Sequence, residues 1–115
     1  MNATQSTEIV SRFINALNEE DFETARNCVT DDLTFTGVMG VRNGADAYFD
    51  DMKRMKLKYS IRKIFADGND VCLWYDIVMQ NKPILSSGWY QLEEGRIKSF
   101  QVVFDPRPLL EAAPK

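Results

Sequence analysis

The residue best placed to do chemistry in this chain is Asp76. It interrupts Val71-Cys72-Leu73-Trp74-Tyr75-Asp76-Ile77-Val78-Met79, an otherwise apolar, strand-like run. A carboxylate in such a run needs a cation, a hydrogen-bond donor or a proton, because burying an unpaired charge is costly. If burial dominates, its pKa rises toward neutrality and it can act as a general acid or base. If Lys63, Ser87 or a tyrosine hydroxyl pairs with it, it is a structural group, and a lysine would hold it ionised. The chain has no histidine, so proton chemistry near neutral pH falls to a carboxylate.

Composition bounds what surrounds this residue. With 115 residues, 44% of them hydrophobic and 27% charged, residues 1–115 form a single soluble domain. A net charge of −3 speaks against a nucleic-acid binder. The two cysteines, Cys28 and Cys72, stand apart in apolar surroundings and read as small buried hydrophobes. Without histidine, they make a zinc or iron site improbable, and no cofactor is expected. No apolar run reaches the roughly 20 residues that span a bilayer, so no membrane partner is expected. The first residues lack the basic and apolar regions of an export signal, which predicts a cytoplasmic protein.

The elements follow from periodicity. Helical spacing covers Thr7–Asn18 through Ile9, Val10, Phe13, Ile14, Ala16 and Leu17. A shorter helix covers Asp21–Val29, with Asp21 as its N-cap, and a third covers Ala45–Met55. Leu33-Thr34-Phe35-Thr36 is a short extended piece, and Gly37, Gly40 and Gly44 mark a flexible connection around Val38-Met39. Four strands follow at Lys58–Ala66, Val71–Met79, Ile84–Leu92 and Arg96–Phe104, with turn signals between them. Helices early and strands late predict an α+β domain, a sheet with helices on one face. The prolines of Asp105-Pro106-Arg107-Pro108 should turn the tail off the sheet and back over an edge.

Two-residue turns at Gly68-Asn69, Asn81-Lys82 and Glu94-Gly95 would set the register. They place Lys63, Trp74, Trp89 and Phe100 in one cross-strand row, followed by Ile61, Asp76, Ser87 and Val102, then Tyr59, Val78, Leu85 and Phe104. These rows form one aromatic inner face around Asp76. The opposite face collects Arg62, Tyr75, Gly88 and Gln101, then Ile64, Leu73, Tyr90 and Ser99. It is amphipathic, and helices cannot cover both faces, so a homodimer through Tyr75, Tyr90 and Gln101 is expected. A one-residue slip would swap these assignments.

Trp74, Trp89, Phe100, Phe104, Phe35, Met39 and Tyr48 then either line an apolar ligand pocket or fill the core. The basic run Lys53-Arg54-Met55-Lys56-Leu57-Lys58, continuing to Arg62-Lys63, reads first as a solvated helix end, where cations suit the macrodipole, running into an exposed strand. Capture of an anionic ligand is the sharper alternative. Asp105 reads as a cap for the tail turn.

Several segments carry a family resemblance: Phe13 and Leu17, Phe22-Glu23-Thr24-Ala25, Asp32-Leu33-Thr34-Phe35-Thr36-Gly37, Gly44-Ala45-Asp46-Ala47-Tyr48-Phe49, and Glu94-Gly95-Arg96-Ile97 leading to Val103-Phe104-Asp105. In this order the chain resembles the SnoaL-like branch of the nuclear-transport-factor-2-like superfamily. The resemblance implies a curved antiparallel sheet wrapped around three N-terminal helices, a cone with an internal pocket at its wide end, and commonly a dimer. It does not fix an activity, since the superfamily spans cyclases, isomerases, dehydratases, epoxide hydrolases and transport adaptors. Set against limonene epoxide hydrolase, Asp76 falls at a catalytic aspartate, but Trp74 falls at its arginine and Val102 at a second aspartate. The tyrosine and asparagine of that site fall near Phe35 and Gly37, and the ketosteroid isomerase base falls near Thr36 or Gly37. The expectation is a small, mostly apolar ligand in the cone. Asp76 would be the catalytic residue of any cofactor-free isomerase, dehydratase or cyclase chemistry. Trp74, Trp89, Ser87, Tyr48, Phe35, Met39, Phe100, Val102, Phe104 and Lys63 would form the ligand site. The alternative is a non-catalytic binding or dimerisation module with a filled cone.

Overall fold

The computed structural model describes residues 2–111. Helix α1, Ala3–Asn18, begins earlier than its apolar stripe because Asn2 and Gln5 form a reciprocal capping box. Val10, Phe13, Ile14 and Leu17 fall one above another and are buried. Its last residue, Asn18, reaches the backbone of Tyr59 twice: Nδ2 donates to the carbonyl at 2.9 Å, and Oδ1 accepts from the N–H at 2.7 Å. Helix α2 is Phe22–Asn27, capped by Asp21 as expected, and ends sooner because Val29 already starts a strand. Helix α3, Ala45–Met55, has the expected bounds; Lys56 closes it in the left-handed conformation with φ 50°. No described helix is long and apolar enough to cross a membrane.

Six strands form one curved sheet: β1 Val29–Gly37, β2 Gly40–Asn43, β3 Lys58–Asp67, β4 Asp70–Met79, β5 Lys82–Glu93 and β6 Arg96–Phe104. The order is β2-β1-β6-β5-β4-β3. The four late strands appear where periodicity puts them. The glycine-marked connection is a hairpin between β1 and β2, and β1 is longer than the extended piece expected there. The sheet is mixed, not wholly antiparallel, because β6 returns beside β1 in parallel after the intervening elements. After β6 the chain turns at Asp105, whose carboxylate accepts from the Arg107 N–H, and enters a short helix α4, Arg107–Glu111.

The register differs from expectation at three places. The turn between β4 and β5 is Gln80-Asn81, with φ of 51° and 63°, so Asp76 stands opposite Leu85 and Trp74 opposite Ser87. Irregularities between Ile61 and Lys63 and between Gln91 and Leu92 shift the β3–β4 and β5–β6 pairings by one residue. Each shift exchanges faces along the rest of that strand pair. Phe100, Val102 and Phe104 therefore share a face with Tyr90 and Tyr75, not with Trp74 and Trp89.

The helix-covered inner face carries Leu73, Tyr75, Ile77, Ile84, Tyr90, Ile97, Phe100 and Val102, all buried. The outer face carries Phe65, Trp74, Leu85, Trp89 and Val103, each about half exposed. This corrects the expected dimer face: Tyr75 and Tyr90 lie inside the domain, and of the three residues named for it Gln101 alone is exposed. Cys28 is buried as expected, whereas Cys72 is exposed on the Trp74 side of β4.

Candidate functional site

A cavity of about 270 Å³ opens between α1, α3, the β1–β2 hairpin and the inner face of the sheet. Its deep end is packed. Phe100 lies at the centre of an aromatic cluster, stacked on Tyr90 with centroids 4.7 Å apart and packed against Phe35 at 5.0 Å, Tyr48 at 5.3 Å and Phe13 at 5.8 Å. Toward the mouth the walls are only partly buried, at Phe35, Tyr59, Met79 and Phe104. Val38, Met39 and Met55 form an exposed apolar rim. The aromatic cluster thus fills one end of the cavity, and the other end is open.

All four tyrosines of the chain, Tyr48, Tyr59, Tyr75 and Tyr90, line this cavity. The hydroxyls of Tyr75 and Tyr90 hydrogen-bond to each other at 2.9 Å. Gly88 makes this pair fit: a Cβ there would lie 2.8 Å from both Tyr75 Oη and Tyr90 Cε1. Tyr59 stacks on Tyr75 at 5.8 Å and is fixed by the clasp of Asn18 on its backbone; its hydroxyl donates to Met52 Sδ at 3.7 Å. Burial raises the pKa of all four phenols. They are neutral at physiological pH and offer O–H donors, not bases.

The polar part of the mouth is a charged trio. Arg42 Nε on β2 donates to Asp51 Oδ2 at 2.7 Å, and Arg54 Nη2 on α3 donates to Asp51 Oδ1 at 2.9 Å. Hydrogen bonds from Arg42, then from Arg54, hold the Asp51 carboxyl below the usual aspartate range. With both oxygens engaged, Asp51 is a poor proton acceptor. It is the one carboxylate on the cavity lining among the described residues.

The expected site residues divide into two groups. Phe35, Met39, Tyr48, Phe100, Val102 and Phe104 line the cavity. Trp74, Trp89, Ser87, Lys63 and Asp76 do not, because they lie on the outer face. Asp76 meets Arg62 there, with Nε and Nη2 each 3.1 Å from Oδ2. Lys63 instead lies with its ammonium 5.8 Å from the Phe65 ring centroid. Asp76 is a paired outer-face carboxylate and cannot act on a molecule inside the cone. The correspondence with an epoxide hydrolase aspartate fails for the same reason, since the inward positions of β4 are Leu73, Tyr75 and Ile77.

Tyr59, Tyr75, Tyr90, Arg42 and Asp51 stand outside the expected ligand site, and Arg54 enters the expectations only within the basic run, whose alternative reading is anion capture. A signal for the tyrosines was present. On β4 the alternate series Val71-Leu73-Tyr75-Ile77 carries no charge, while Cys72-Trp74-Asp76 does; on β5 Ile84-Ser86-Gly88-Tyr90-Leu92 contrasts likewise with Trp89-Gln91-Glu93. The uncharged series is the inward one.

Comparison with known proteins agrees with this architecture. A family model of the SnoaL-like domain matches residues 10–100. The fold is similar to an NTF2-like protein of unknown function from Cytophaga hutchinsonii, at 50% identity over 91% of this chain and 94% of that one, with a TM-score of 0.89. It is also similar to an LEH-like epoxide hydrolase from Mycobacterium tuberculosis, at 24% identity over 95% and 89% of the two chains, with a TM-score of 0.82. A protein of unknown function with a cystatin-like fold from Methylobium petroleophilum matches at 12% identity over 100% and 80%, again with a TM-score of 0.82. At these two lower identities the likeness is one of fold. No curated protein matches the chain in sequence. The chain belongs to the SnoaL-like domain family, within the NTF2-like, cystatin-like α+β fold.

Proposed function

We propose that this protein binds one small, mostly apolar molecule at the wide end of its cone, and that binding rather than proton transfer is its role. The observation that carries this reading is a cavity of about 270 Å³ with aromatic and methionine walls whose deep polar groups, among the described residues, are phenols. That volume lies just below the range of roughly 300–1,000 Å³ common among small-molecule sites, which suits a small ligand. The phenols behind it remain neutral donors, and Asp51 at the mouth is engaged by two guanidiniums. An epoxide hydrolase is among the proteins of similar fold, but the one carboxylate on the cavity lining among the described residues, Asp51, has both oxygens held by arginines.

Native mass spectrometry tests the reading. The wild-type chain should take up one equivalent of a neutral apolar probe such as 1-octanol, and Met79→Trp, which fills the wall of the cavity, should lose it. Leu57→Trp serves as a second filling variant if the first fails to fold. Absence of uptake by the wild type, or equal uptake by a folded filled variant, would overturn the proposal.

The expected homodimer remains part of this reading, with a corrected surface. Phe65, Trp74, Leu85, Trp89 and Val103 leave half-exposed apolar area on one sheet face, the kind of patch that a second copy covers. Arg62 and Asp76 on that face neutralise each other, so covering them buries an ion pair and not a lone charge. Trp74→Arg should give a monomer by analytical ultracentrifugation where the wild type sediments as a dimer. A monomeric wild type at micromolar concentration would contradict the assignment.

A further inference from the structure

The mouth of the cavity specifies more than apolarity. We infer that the ligand is an amphipathic carboxylate, with its apolar body in the cone and its anionic head at Arg42 and Arg54. This rests on the cavity being the binding site. Three charged residues stand on the lining, two guanidiniums and one carboxylate, so the mouth carries a net positive charge on a protein whose overall charge is −3.

The two arginines come from different elements, β2 and α3, and converge on one point. The carboxylate of Asp51 lies between them, 2.7 Å from Arg42 Nε and 2.9 Å from Arg54 Nη2. A guanidinium has five N–H donors in a planar fork suited to carboxylate oxygens. Asp51 takes one donor from each arginine, and Arg42 Nη1 makes a long contact of 3.5 Å to the Val41 carbonyl. Further donors of both groups are left for a second carboxylate at the same mouth. The arginine side chains are 52% and 69% exposed, whereas Asp51 is 18% exposed, so an incoming head meets the cations first.

The surrounding rim suits the rest of such a molecule. Val38, Met39 and Met55 are exposed apolar residues at the same opening. An alkyl or aryl chain crossing the rim would cover them as its head stays at the arginines. Of the other cations in that run, Lys56 and Lys58 reach Glu20, Arg62 reaches Asp76, and neither Lys53 nor Lys63 is on the cavity lining. Of that run, Arg54 alone reaches the cavity lining.

Calorimetric titration with octanoate and 1-octanol, which differ only in the head, tests the assignment. Octanoate should bind about five- to tenfold more tightly, the scale of a partly exposed charge-assisted contact, and added salt should erode that preference. The double variant R42Q/R54Q should abolish the preference for octanoate over 1-octanol, the ratio of the two affinities being the readout. Asp51→Asn should strengthen octanoate binding, because it releases two guanidiniums to the ligand; a purely structural trio would weaken it. Equal affinity for the two probes, or a preference that survives R42Q/R54Q, would overturn the carboxylate assignment while leaving the cavity as a site for neutral ligands. If neither probe binds, the cavity reading fails and this assignment fails with it.

Discussion

The two faces of one sheet are built from adjacent residues and behave as opposites. On β4, Tyr75 is buried between Trp74 and Asp76, which face outward. On β5, Tyr90 is buried beside Trp89, which is half exposed. All four tyrosines line the inner cavity, and both tryptophans are outside it. The inner face gains aromatic packing and phenolic donors that never need to ionise. The outer face keeps the indoles, the Arg62–Asp76 pair and an apolar patch. The difference teaches that the conspicuous acid of this chain and its cavity lie on opposite sides of a single layer.

That contrast can be broken in several ways, the most global first. Buried neutral phenols have folded-state pKa values raised above the roughly 10 of an unfolded tyrosine. Their contribution to stability is therefore full below about pH 10 and is lost as pH climbs toward the folded values. Tyrosinate absorbance should rise together with the loss of circular dichroism, not before it. Native-state ionisation of one or more tyrosines near pH 10 would mean that this face is open to water.

Single truncations should then separate the faces. Phe100→Ala removes the hub of the inner cluster and should cost about 3–5 kcal/mol in denaturant unfolding. Leu85→Ala on the outer face, measured dilute, should cost about 0.5 kcal/mol or less. Comparable losses would contradict the assignment of faces. Gly88→Ala forces the Tyr75–Tyr90 pair apart, since the new Cβ would lie 2.8 Å from both side chains, and should cost about 1–3 kcal/mol. The smallest effect belongs to Asp76→Asn. It removes a partly exposed ion pair worth about 1 kcal/mol or less, and it should leave ligand affinity unchanged in calorimetry. A large loss of binding would restore Asp76 to the site.

Much of this was legible in the chain, and the failures have identifiable causes. The bounds of α3, the Asp21 cap and the four late strands followed from periodicity and turn residues. The turns at Gly68-Asn69 and Glu94-Gly95 were readable because glycine accepts a positive φ at no cost; Gly68 has φ 60° and Gly95 φ 81°. The turn at Gln80-Asn81 was harder, because a glutamine at φ 51° has no such signature and Pro83 drew attention one residue on. The shifts near Arg62 and Lys98 have no glycine to betray them. Each exchanges faces, which is how Asp76 came to be assigned to the interior. The mouth was illegible for another reason. Arg42, Asp51 and Arg54 meet only after β2 and α3 dock, and although Arg54 belongs to a conspicuous basic run, nothing local links it to Arg42 and Asp51.

Methyl-resolved NMR during titration with octanoate tests the central claim most directly. The account predicts saturable shifts at Leu57, Ile77 and Met79 around the cavity, with Leu85 and Val103 on the outer face unmoved. Shifts confined to Leu85 and Val103, or none at saturating ligand, would contradict it.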